Sequence, residues 1–258
     1  MDLAQTYELW RGMMRDGVSL EWWQTFFVRF YQAFLEADRW QSYLEGVGIT
    51  LLTTAIALAI GVALGVVVAM LRTAHDQQRP GRPRNPVLGA ANALCKVYVT
   101  VIRGTPMMVQ ILIMGLVIFS SSRNFTAVGA LTLGINSGAY VAEIIRGGLM
   151  SLDSGQMEAG RSLGLNYFDT MRFIVIPQAF KAILPSLGNE FIVLLKDTSM
   201  ISIIGGQELT FFARNIVTRT YDAMMPLLGA AAIYLALVLI FTWLHGKLER
   251  RLRQSDRR

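Results

Sequence analysis

VGITLLTTAIALAIGVALGVVVAML, residues 47–71, contains no charged side chain over 25 positions. A helix of that length rises about 37 Å at 1.5 Å per residue, more than the roughly 30 Å hydrocarbon thickness of a bilayer. The stretch therefore reads as a membrane span. Four more apolar stretches follow, at about residues 87–120, 126–150, 173–196 and 223–244. The second is interrupted at Lys96 and at Arg103-Gly104-Thr105-Pro106, and the fourth carries Pro177 and Pro185. Of the 258 residues, 53% are hydrophobic and only 16% charged, too little polar surface for a soluble domain of this size. The expected fold is an all-α membrane protein with five transmembrane helices in one domain, residues 43–247. An amino-terminal segment (1–42) and a basic tail (248–258) flank it.

Arginine placement orients the spans. Arg72, Arg79, Arg82 and Arg84 follow the first span, and HGKLERRLRQSDRR follows the fifth. Both segments are expected in the cytoplasm, which puts the amino terminus outside. The connector 151–172 then falls inside and segment 197–222 outside, with a short surface helix expected over 207–217. Topology also accounts for the net charge of +6, so no nucleic-acid partner is inferred. Residues 1–9 lack the positive start, apolar middle and cleavage site of a signal peptide. Residues 19–37 fit an amphipathic helix in the membrane interface, or else an extra helix packed on the bundle. One cysteine (Cys95) and two histidines (His75, His245) supply neither a disulfide framework nor a metal site. There is no GxxxxGK[ST] loop, so ATP hydrolysis by that route is not expected of this chain. An odd span count without an inverted repeat argues against a secondary carrier. A half-sized pore would be completed by a second copy or a paralogue.

The connector continues as GQMEAGRSLGLNYFDTMRFIVIPQAF, residues 155–180. Glu158-Ala159-Gly160 begins or extends a short helix with a small-residue face, and Gly164 is suited to stop it in the left-handed conformation. Tyr167 and Phe168 provide an aromatic knob. Pro177 fits the first turn of the next span. Many loops between spans hold such helices; the spacing is more specific. Glu-Ala-Gly, three residues, Gly164, nine residues and Ile174-Val175-Ile176-Pro177 resemble the EAA loop of bacterial binding-protein-dependent ABC importers, with Gly160 in place of an alanine and Ile176 in place of a leucine. Arg103-Gly104-Thr105-Pro106-Met107-Met108-Val109-Gln110 is similar to a segment of the polar amino acid permeases. So are residues 138–148, 155–158, 184–189, 196–199 and Glu208-Leu209-Thr210.

The resemblance, from about residue 43 onward, implies a type I importer permease in the bacterial plasma membrane, with polar amino acids as cargo. Another small polar solute, a sulfur compound or an organic acid, is the alternative. It further implies two ATPase subunits that bind ATP and Mg, a second permease subunit, an extracellular solute-binding protein, and coupling to the ATPase through Glu158, Ala159, Gly160 and Gly164. No cofactor is expected in this chain.

Polar side chains at membrane depth are costly and commonly functional. Asn136, Tyr140 and Glu143 follow i, i+4, i+7 spacing, so one helix face could hold an ammonium or amide group; the competing reading is an internal Glu143–Arg146 pair. Asp197, Thr198 and Ser199 end the fourth span either as caps or as contacts to an amino acid's charged groups. Arg103, Thr105 and Pro106 are expected to bend the second span. Met107 and Met108 are read as a gate or as core packing.

Overall fold

The computed structural model describes residues 2–76, 78, 85–153 and 155–255. Arg79, Arg82, Arg84 and the last three residues of the basic tail lie outside them. Eleven α-helices are present among the described residues, with short π and 3-10 turns and no strand. They are α1 (Leu3–Arg15), α2 (Trp22–Phe30), α3 (Trp40–Asp76), α4 (Pro86–Gly104), α5 (Met107–Ile113), α6 (Phe125–Met150), α7 (Gly155–Ser162), α8 (Tyr167–Thr170), α9 (Ile176–Asp197), α10 (Leu209–Thr220) and α11 (Met224–Ser255).

The centre of the bundle is the pair α3 and α6. Gly61 and Gly65 of α3 face Ser137 and Val141 of α6, while Gly134 and Gly138 of α6 face Ile60 and Leu64 of α3. A Cβ on Gly61 would stand 2.7 Å from Ser137 Oγ, and one on Gly134 2.7 Å from Ile60 Cβ. Small residues four apart on both helices let the backbones approach, which is how apolar helices associate where lipid removes the hydrophobic driving force. Below this contact Ala57, Ile111, Val128, Leu133, Leu194, Ile201 and Ile204 form one buried cluster joining α3, α5, α6, α9 and the 3-10 turn Thr198–Ile204.

Among the described residues, four helices are long and apolar enough to cross a membrane: Trp40–Asp76, Pro86–Gly104, Phe125–Met150 and the Met224–Leu252 part of α11. The expected second span is divided, α4 ending at Gly104 and α5 starting after Pro106 and running on through a π turn, Met114–Ile118. The expected fourth span is α9, 22 residues long, with Pro177 in its first turn and Pro185 inside it. Gln178, Lys181, Asn189 and Glu190 make it too polar to qualify by composition. It packs against α3, α6 and α11, so protein rather than lipid covers much of its surface. His245 of α11 lies over Gly188 and hydrogen-bonds to the Pro185 carbonyl at 2.7 Å.

The expected helix at 207–217 is α10, Leu209–Thr220, with Leu209, Ala213 and Ile216 buried against α3 and α11. Glu208 caps it, accepting from the N–H groups of Thr210 (2.7 Å) and Phe211 (2.8 Å) and from the Tyr234 hydroxyl (2.7 Å). Burial pushes this carboxyl above the usual carboxylate range, and those hydrogen bonds pull it back.

Candidate transport pathway and coupling loop

Pro106 brings no N–H to the helix, and the residue before a proline avoids the α region. Thr105 is accordingly extended, and the carbonyls ahead of it lose their helical partners. Side chains replace them. Thr105 Oγ1 donates to the Val101 carbonyl at 2.9 Å. Gln110 Nε2 donates to the Ile102 carbonyl and to Thr105 Oγ1, both at 2.8 Å. Gln110 Oε1 accepts from Asn136 Nδ2 at 3.0 Å, which ties the break to α6. Arg103 stacks its guanidinium 5.0 Å from the centre of the Tyr140 ring. Met107 packs against the buried cluster and Met108 is exposed. Arg103, Thr105, Asn136 and Tyr140 thus gather at the broken span. Gln110, which joins them, stood out in the sequence only as the last letter of a motif.

Glu143 is held elsewhere. It accepts from Arg72 at the end of α3 and lies 3.9 Å from Arg146 Nε. Arg146 also reaches Asp76 at 3.4 Å. The structure therefore places Glu143 in an ion cluster at the ends of α3 and α6, two helical turns from Asn136. Arg72 read in the sequence as a topology signal alone.

Glu190 is the residue the sequence reading missed. It is 9% exposed, faces α6, and accepts from Ser137 Oγ at 2.8 Å. Asp197 follows seven residues later on the same face of α9, half-buried, and no described residue donates a hydrogen bond to it. The available signal was an acidic residue inside an apolar stretch. Thr198 Oγ1 and Ser199 Oγ donate to the carbonyls of Leu195 and Lys196, both at 2.7 Å, and so finish the helix.

The connector folds compactly. α7 ends in a turn where the Leu165 N–H reaches the Gly160 carbonyl (3.1 Å) and the Gly164 N–H reaches that of Arg161 (2.9 Å). Gly164 adopts φ +81° to make both bonds. Gly160 is buried against Thr170 at the end of α8. Glu158 and Ala159 are exposed, as are Leu163, Tyr167 and Phe168, and Gln156 bonds Gln178 of α9 at 3.0 Å.

A helix broken at membrane depth and a carboxylate buried inside a span are costly in lipid and are features of membrane transport subunits. Residues 88–254 match the binding-protein-dependent transport system inner membrane component family, and the chain belongs to it. It is 35% identical over 215 residues to the glutamine transport system permease protein GlnP of Escherichia coli (strain K12), covering 81% of this chain and 92% of that protein. It is 36% identical over 218 residues to the arginine transport system permease protein ArtQ of Bacillus subtilis (strain 168), covering 83% and 93%. Its fold is similar to that of an amino acid ABC transporter crystallised with histidines, at TM-score 0.74 and 39% identity, over 84% of this chain and 98% of that one. The inward-facing MetNI methionine ABC transporter shares the fold at TM-score 0.68 and 18% identity, over 82% and 96%.

Proposed function

We propose that this chain carries polar amino acids across the bacterial plasma membrane as the permease subunit of an ATP-driven importer, and that α9 forms part of the path. The observation that carries this is the Glu190–Asp197 face. An ionised carboxylate in a low-dielectric bundle is unfavourable unless a cation or hydrogen-bond donors offset it. Glu190 takes one hydrogen bond from a described residue, that of Ser137, and Asp197 takes none. An amino acid's ammonium group supplies both charge and donors. Asn136 and Tyr140 stand near Ser137 in sequence, and Thr198 and Ser199 directly follow Asp197, as neutral polar groups for the rest of such a solute. The relatives named for glutamine and arginine support amino acids as the cargo class.

In this reading Glu143 acts structurally, through Arg72 and Arg146, and the Thr105–Pro106 break beside Met107 and Met108 is the bending point. Glu158, Ala159, Gly160 and Gly164 shape the surface that meets the ATPase. Two ATPase subunits, which bind ATP and Mg, a second permease subunit and an extracellular binding protein complete the machine. The amino terminus faces out and the carboxyl terminus in. In support, the ends of α3 and α6 meet through Arg146 and Asp76 on the side from which the 151–172 connector leaves.

The test is Glu190→Gln and Asp197→Asn in the reconstituted transporter, assayed with a panel of labelled amino acids, sulfur compounds and organic acids. Both variants should assemble and keep basal ATPase activity, while amino-acid uptake falls tenfold or more, equivalent to about 1.4 kcal/mol. Unchanged apparent affinity and rate for the native solute would remove α9 from the path.

A further inference from the structure

We propose that the amino-terminal hairpin binds the phospholipid bilayer, resting the aromatic face of α2 in the boundary between headgroups and acyl chains. The hairpin closes on its own inner side. Tyr7 of α1 stacks on Tyr31 at 4.3 Å between ring centres, and Trp10 meets Trp23 and Phe27 edge-on at 5.1 and 5.3 Å. Tyr7, Val28 and Ala33 are buried.

Its depth is set by the bundle. The Phe34 ring seats against Gly229 of α11, in the space a side chain there would fill, and stacks on Tyr43 of α3 at 5.2 Å. The Tyr43 hydroxyl reaches the Pro226 carbonyl at 3.5 Å. Gly229 lies five residues into α11, about 8 Å along its axis. The base of the hairpin therefore stands at the level where that span enters the membrane.

Its direction is set by a turn. Ala37 and Asp38 both take φ 53°, a left-handed pair that L-residues rarely adopt. Ion pairs hold it: Glu36 takes Arg11 and Arg39, each at 2.7 Å, and Arg39 also donates to the Gln32 carbonyl.

What remains uncovered on α2 is apolar and aromatic. Trp22 is 78% exposed, and Trp23, Phe26 and Phe30 are exposed beside it. Beside the seat of Phe34, Leu44 of α3 and Leu228 of α11 are exposed as well. Four of the five tryptophans, Trp10, Trp22, Trp23 and Trp40, lie in this short region. Tryptophan concentrates at membrane interfaces because its ring is apolar and its N–H is not. Residues 2–39 carry four arginines against six carboxylates, so attraction to anionic headgroups does not hold the hairpin down. Its binding is that of an apolar face.

The experiment uses the complete transporter in phosphatidylcholine vesicles containing brominated phospholipid, with the bromines near either the headgroup or the chain end. The emission lost in the Trp22→Phe/Trp23→Phe variant is the signal of this face. That component should be quenched most by the shallow bromines, little by aqueous iodide, and equally at low and high salt. Quenching by iodide and not by bromolipid would mean a face open to water. Shielding from both would mean a face covered by protein, a second copy or a partner. Either result overturns the proposal. If the double variant fails to assemble, Trp22→Phe alone, at the more exposed site, gives the same comparison. The readout needs neither cargo nor nucleotide, so its outcome is independent of the importer reading.

Discussion

Replacing Gly160 with alanine would bring this chain closer to the EAA pattern it resembles, yet the structure predicts a loss. An added Cβ would lie 2.5 Å from Thr170 Cγ2, 2.8 Å from its Oγ1 and 3.2 Å from its Cβ. Overpacking of this kind costs about 1–3 kcal/mol. Alanine returns about 0.5–1 kcal/mol through helix propensity. The net expectation is a destabilisation of about 1–2 kcal/mol, confined to the connector. Thr170→Ala removes both offending atoms and the 2.9 Å hydrogen bond from Thr170 Oγ1 to the Asn166 carbonyl, worth about 1 kcal/mol. In the double variant the clash is gone and the propensity gain remains, so the two substitutions should couple by about 1–2 kcal/mol in the compensating direction. Hydrogen exchange of the Leu163, Gly164 and Leu165 amides reads the effect directly, because their bonds to Ala159, Arg161 and Gly160 close the turn. Exchange should quicken roughly 5- to 30-fold in Gly160→Ala and return to the Thr170→Ala rate or slower in the double variant. If Gly160→Ala exchanges like the parent, or the two changes simply add, the packing argument is refuted.

Gly164→Ala should also loosen the turn, by about 1 kcal/mol, but for a conformational reason: φ is +81° and nothing lies within 4 Å of an added Cβ, so Thr170→Ala should bring no relief in the same exchange measurement. Glu143→Gln should lower the thermal midpoint of the purified chain by an amount equivalent to about 1–3 kcal/mol, and Arg72→Gln/Glu143→Gln should be more stable than at least one of the singles, since Arg72 is then no longer a charge without its acceptor and Arg146 keeps Asp76. Gln110→Leu strips partners from the Ile102 carbonyl and from Asn136, so it should destabilise by about 1–3 kcal/mol and couple to Asn136→Ala in a double-mutant cycle of melting curves. With Cys95 buried, a cysteine at position 12 should take an impermeant maleimide from outside intact cells and one at position 255 should not; the reverse pattern would invert the topology.

The amino-acid sequence alone determined the features that depend on composition or on one residue's stereochemistry. Residues 47–71 read as a span because transfer into lipid sums over side chains without reference to neighbours. The break at Thr105-Pro106 follows from a missing N–H, and the stop at Gly164 from a freedom that only glycine has. The motif order carried the family, since it needs no contact map. Tertiary structure decided everything that joins distant positions. Glu143 pairs with Arg72, 71 residues away, rather than with Arg146 alone. Glu190 meets Ser137 across two helices. α9 is less apolar than its role requires because α3, α6 and α11 cover it, and a composition test assumes lipid on every side. The small-residue rows of α3 and α6 interlock only when their registers are known. α1 went unread although Asp2 and Gln5 form a capping box at its start, because an amphipathic helix of 13 residues has no stability of its own to announce it. It holds its place through Tyr7 and Trp10 against Tyr31 and α2, and such contacts exist only once the chain has folded back between α1 and α2, where Gly17 takes φ 78°.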